Sequence, residues 1–114
     1  MKIKVREVKG VTVLDIEGRI DIDASELIET VGWVVKNNKL RILCNFENVE
    51  LVDYSGLSIL AIAYKNVANH QGQMKFCDVA LHIRELFNIV QMDRVFRCYD
   101  SEEQAIINFD EKLM

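Results

Sequence analysis

The chain has 114 residues, half of them apolar and 28% charged, a balance that suits a globular domain with a real core and argues against a disordered tail. Fourteen basic and eighteen acidic side chains give a net charge of -4, and no stretch collects Lys and Arg into a patch, so nucleic-acid binding is not expected. The longest nearly apolar run, residues 57–64, falls far short of the roughly 20 residues a membrane helix needs, so direct membrane insertion is not expected either.

At this length a single domain spanning residues 1–114 is expected. The opening residues lack the charged-then-apolar pattern of an export signal. Cys44, Cys77 and Cys98 are too widely spaced for a CxxC motif. Together these features suit reduced, inert thiols in a cytoplasmic protein.

Residues 3–8 and 11–16 are rich in β-branched side chains and flank Lys9-Gly10, the two-residue spacing of a tight hairpin. Gly18 breaks the second run. A first helix is predicted from Asp23, with Asp23 and Glu26 at capping-box spacing and Leu27, Val31, Val34 and Val35 on one stripe. Trp33 falls on the opposite, solvent-facing side.

Residues 40–46 read as an inner strand and residues 47–53 as a loop. A second helix is predicted from about Ser55, with its stripe running through Leu57, Leu60, Ala61, Tyr64, Val67 and Ala68 until Gly72 ends it. Residues 73–77 alternate like a strand, and Ile83, Leu86, Phe87 and Val90 mark a third helix. Residues 95–99 form the last predicted strand, and Ser101 with Gln104 caps a final helix.

The order is ββαβαβαβα. Right-handed crossovers make the later strands parallel, giving an α/β fold: a mixed five-stranded sheet that opens with a β-hairpin and is covered by about four helices. Leu14, Ile16, Ile42, Cys44, Leu60, Tyr64, Phe76, Phe87 and Phe96 are its expected interior.

Enzyme chemistry finds no foothold. There is no GxxxxGK, GxGxxG or HExxH, and His70 and His82 sit at helix ends. The close acid pairs, Asp21 with Asp23 and Glu102 with Glu103, fall at helix starts, where the dipole accounts for them. Neither a metal nor a cofactor is expected.

One segment stands out: Asp53-Tyr54-Ser55-Gly56-Leu57, an acid, a hydroxyl and a glycine leading into the strongest helix. Ser55 lies at or next to its N-cap. Two readings follow: the hydroxyl satisfies an orphan backbone N–H, or a phosphate placed on it meets the positive end of the helix.

This run is similar to the D-[ST]-[ST]-G-L signature of STAS domains, the family of anti-sigma factor antagonists and sulfate-transporter tails. Gly18-Arg19-Ile20-Asp21 resembles the family's G-R-L-D segment. Met92-Asp93-Arg94-Val95-Phe96 with Tyr99-Asp100-Ser101 resembles its L-D-R-V-F and Y-D-S segments.

The resemblance implies a regulator of transcription with no catalysis of its own. It antagonises a serine kinase-type anti-sigma factor, is phosphorylated by that partner at Ser55 and is reset by a phosphatase. Asp21, Asp53, Tyr54, Gly56 and Leu57 are the implied partner-binding residues. The alternative within the family is an accessory subunit of a transporter or larger signalling assembly without a phospho-switch. Self-association is left open.

Two positions depart from the pattern. Tyr54 replaces a small hydroxyl residue and puts a ring in the signature loop, and Asn45 replaces an Asp expected to lie near that loop.

Overall fold

The computed structural model describes residues 1–111. The predicted hairpin is present: β1 (Lys2–Val8) and β2 (Val11–Ile20) pair antiparallel and close at Val8↔Val11. Lys9 and Gly10 both have positive φ, 49° and 81°, the conformation that matches a two-residue turn to the twist of the strands.

After α1 (Ser25–Lys36), β3 (Arg41–Val52) runs parallel to β2. Then α2 (Tyr54–Asn69), β4 (Gln73–Cys77), α3 (Leu81–Ile89), β5 (Cys98–Tyr99) and α4 (Glu102–Glu111) complete the chain. The sheet order is β1-β2-β3-β4-β5, with every pair after the hairpin parallel.

Four local expectations are corrected. Gly18 does not end β2, and residues 47–52 are strand, not loop: Glu17–Ile20 pair with Asn48–Val52. Two register shifts each place an extra residue on β3, so its buried side chains Phe46, Val49 and Val52 recur every three residues. A period-2 pattern cannot reveal such a bulged strand.

The first helix starts two residues later than expected, with Ala24 as an N-cap that has no side-chain hydrogen bond. Asp21 organises this turn instead. Its Oδ1 accepts from Asp23 N at 3.0 Å and its carbonyl from Ala24 N at 3.0 Å, while Ala24 is fully buried.

The last strand shrinks to two residues, because Val95 N and Phe96 N both turn back to the Met92 carbonyl. That turn drives Phe96 into the core.

The sheet has two unequal faces. On one, α1, α2 and α3 bury Leu14, Ile16, Ile42, Cys44, Phe46, Met74 and Phe76. At its centre Phe76 meets Phe46, Phe87 and Phe96 edge-on, at centroid distances of 5.3, 6.0 and 5.2 Å. Tyr64 is half-buried and packs edge-on against Phe96. On the other face, Ala105, Ile106 and Phe109 of α4 cover Val11, Val13, Leu43 and Cys77. The expected interior residues all lie in or against the first cluster.

Candidate functional site

The carboxyl ends of β2 and β3 lie side by side, with Ile20 paired to Val52. From them emerge the turn into α1 and the first residues of α2. This is the end of a parallel sheet where loops converge and functional sites gather.

Asp53 is the N-cap of α2. Its backbone is extended, its Oδ1 accepts from Gly56 N at 2.8 Å, and its carbonyl accepts from Leu57 N at 2.9 Å. Its own N–H donates to the Ile20 carbonyl at 3.3 Å, tying the cap to β2.

Gly56 completes the join. A Cβ at this position would stand 1.8 Å from the Ile20 oxygen and 2.6 Å from its carbonyl carbon. Only glycine lets the helix start this close to the strand.

Ser55 is therefore the second residue of α2, two positions beyond the cap. It is exposed, and its side chain has no hydrogen-bond partner among the described residues. The capping reading of its hydroxyl does not hold, because Asp53 does that work.

Asp21 is half-buried and Asp53 exposed, while Tyr54 is 70% exposed on the first helical residue. Gly56 and Leu57 are buried: one is the close-approach point and the other a member of the core.

The fold adds residues that the sequence did not single out. Ile22 and Leu81 are 75% and 71% exposed. His82 Nε2 donates to the Glu50 carbonyl at 3.1 Å, which anchors the start of α3 beside the end of β3. Ile22, Tyr54 and Leu81 thus crown the same end of the sheet, among Asp21, Asp23, Glu50 and Asp53. An isoleucine between two acids was the available signal for Ile22; Leu81 carried none beyond lying off its helix's apolar stripe.

Asn45 does not lie near this loop. It sits on the α4 face of the sheet opposite Asp15 and Cys77, seven residues before Val52. There Nδ2 donates to Glu102 at 3.2 Å and Oδ1 accepts from Glu47 N at 2.9 Å.

Glu102 also receives Arg6, whose guanidinium bridges to Asp15 with Nε–Oδ2 at 2.6 Å and Nη2–Oδ1 at 2.9 Å. The hydrogen bond from Arg6 holds the Glu102 carboxyl below the usual carboxylate range, and the two acids push the Arg6 guanidinium higher still. This network ties β1, β2, β3 and α4 together. It lines a cleft of about 1030 Å³ shared with Lys2, Lys4 and Glu17.

The thiols are poor nucleophiles. Burial pushes Cys44 up to about 12, and desolvation pushes half-buried Cys98 up to about 11. Among the described residues there is no cluster of His, Cys, Asp and Glu able to hold a metal ion, and no helix long and apolar enough to cross a membrane.

Residues 2–105 match the family model described as the STAS domain, and the chain belongs to that family. An anti-sigma F factor antagonist of Paenibacillus polymyxa is 21% identical over 112 residues, covering 96% of each chain.

Among solved structures, an anti-sigma factor antagonist from Mycobacterium paratuberculosis superposes with a TM-score of 0.82 at 24% identity, over 94% of this chain and 92% of that one. The Bacillus cell fate determinant SpoIIAA in its phosphorylated form gives 0.72 at 17% identity, over 95% and 99%. A sulfate transporter family protein from Wolinella succinogenes gives 0.78 at 14% identity, over 90% and 87%. These chains share the mixed five-stranded sheet with its four helices.

Proposed function

We propose that the protein is a cytoplasmic anti-sigma factor antagonist that docks on a serine kinase-type anti-sigma factor through the loop end of its sheet and is released when that partner phosphorylates Ser55. The observation that carries this reading is the uncommitted, exposed hydroxyl of Ser55 at the second position of a helix whose cap is supplied by its neighbour Asp53. The likeness to the Paenibacillus polymyxa antagonist supports the choice of partner class.

The docking surface consists of Asp21, Asp53, Tyr54 and Ser55. Gly56 and Leu57 support it from beneath, and Ile22 and Leu81 extend it. Apolar side chains this exposed, framed by acids, suit a partner with an apolar pocket and a basic rim.

The switch is electrostatic. A phosphate on Ser55 adds about -1.5 to -2 charges at pH 7 to a surface that already carries four carboxylates. The helix N-terminus stabilises that phosphate within the domain, so the fold persists while re-docking is opposed by repulsion and by the cost of desolvating the added charge. A phosphatase restores the docking form, and the output is transcriptional.

The alternative, a constitutive accessory subunit of a transporter or signalling assembly, is favoured by the bulk of Tyr54 and by the fold likeness to the Wolinella protein. Partners captured from native cytoplasm, followed by calorimetry with wild-type protein, Ser55→Asp and Ser55→Ala, separate the two readings. The switch requires the Asp variant to lose about 1–3 kcal/mol of binding while the Ala variant retains full affinity. Equal affinities for all three and for protein phosphorylated at Ser55 establish the constitutive subunit instead.

A further inference from the structure

Three arginines lie about the open edge of β5. Arg84 comes from α3, and Arg94 and Arg97 come from the turn that leads into the strand. Arg94 and Arg97 flank a cleft of about 330 Å³ with Asp93, Cys98 and Tyr99. Arg84 and Asn88 line an adjoining cleft of about 260 Å³ that shares Asp93 and Cys98 with the first.

Arg84 pairs with Asp100 at 3.3 Å, a contact to a carboxylate that is 81% exposed. Arg94 and Arg97 make no ion pair and no side-chain hydrogen bond among the described residues. Both side chains are exposed, so two uncommitted guanidinium groups three residues apart stand beside one cleft.

The backbone adds a donor. The carbonyls of Arg97 and Tyr99 accept from Phe76 N and Asp78 N, so both residues face β4. In a parallel ladder the intervening residue faces the other way, which turns the Cys98 N–H out to the open edge between the two clefts. Two guanidinium groups and an outward backbone N–H beside one cleft are the donor types that hold a tetrahedral oxyanion. The opposing charge in the cleft is Asp93.

We propose that this edge is a binding site for a small phosphate-class oxyanion, held by Arg94, Arg97 and the Cys98 N–H. It lies across β4 and β3 from the Ser55 loop, and its occupancy does not depend on the state of Ser55.

Amide and arginine Nε–H NMR spectra of the full chain, titrated with inorganic phosphate at constant ionic strength against chloride, test this. Saturable shifts are expected at Cys98, Arg94 and Arg97, with Ser55 and its neighbours unmoved. The Arg94→Gln/Arg97→Gln double variant should bind at least ten-fold more weakly, and Asp93→Asn should bind several-fold more tightly while leaving the rest of the spectrum in place.

A parallel titration with ADP identifies the source of the phosphate. Tighter saturation with further shifts at Tyr99 assigns a nucleotide, and an affinity no better than that of phosphate assigns the free ion. Shifts that grow linearly without saturation, or that persist unchanged in the double variant, overturn the proposal.

Discussion

Replacing Gly56 by Ala should destabilise the domain by about 2–4 kcal/mol, although Ala is the better helix former. The added methyl would stand 1.8 Å from the Ile20 oxygen, where real Cβ contacts stay beyond 3.0 Å. The obstructing atoms are backbone, so no side chain can rotate away and α2 must shift bodily. Overpacking of this kind costs about 1–3 kcal/mol and occasionally more. The same shift strains the Asp53 cap, worth about 1 kcal/mol, and the Asp53-to-Ile20 hydrogen bond, worth a similar amount. Against this, Ala gains up to about 1 kcal/mol of helix propensity.

Gly32 is the internal control. It also lies inside a helix, but a Cβ there would meet only the Asn66 side chain at 3.9 Å, an ordinary contact. Gly32→Ala should therefore be neutral or stabilising by up to about 1 kcal/mol. Urea unfolding followed by far-UV circular dichroism measures both. A Gly56→Ala midpoint indistinguishable from wild type, or equal losses for the two variants, would refute the close-approach argument.

Asp53→Ala should cost about 1 kcal/mol through loss of the cap, whereas Ser55→Ala should leave the unfolding midpoint within about 0.5 kcal/mol of wild type; the reverse order would return the capping role to Ser55. Because the folded-state pKa of Glu102 is depressed, its contribution to stability is complete above the ordinary glutamate value of about 4.3 and is lost as pH falls through the lower folded value. Urea midpoints measured from pH 7 down to pH 3 should thus fall less steeply in Glu102→Gln than in wild type, at a cost near neutrality of about 1 kcal/mol for this partly exposed pair. Cys44, Cys77 and Cys98, all free and all shifted upward, should react slowly with a thiol reagent at pH 8 in the native state and fully in denaturant; rapid native labelling of Cys44 or Cys77 would contradict their burial.

The start of α2 was legible because its physics is local. An acid able to cap, a glycine three residues on and an apolar stripe beginning at Leu57 are all contained in a few residues, and the structure adds only that Asp53, and not Ser55, is the cap. The hairpin was legible for the same reason, with Lys9-Gly10 specifying its turn. The stripe of Leu27, Val31, Val34 and Val35 likewise marked a buried face and left Trp33 outside at 58% exposure, whereas on α2 the expected Ala68 is exposed and the buried face takes in Ile59 and Ala63.

What tertiary structure alone decided concerns residues whose neighbours are distant in sequence. β3 runs on to Val52 because β2 lies beside it to pair with, across bulges that erase the two-residue alternation. What Asn45 meets on its side of the sheet depends on α4, which packs on the opposite face from the other helices and brings Glu102 to it from 57 residues away. Ile22, Tyr54 and Leu81 share one end only because three parallel strands stop there, and Arg84 comes beside the Arg94 and Arg97 cleft only because the crossover through α3 returns to the sheet at β5. Local sequence carries caps, turns and apolar periodicity, because those interactions span a few residues; a surface is composed of side chains from separate elements, and their meeting is set by strand order and crossover geometry.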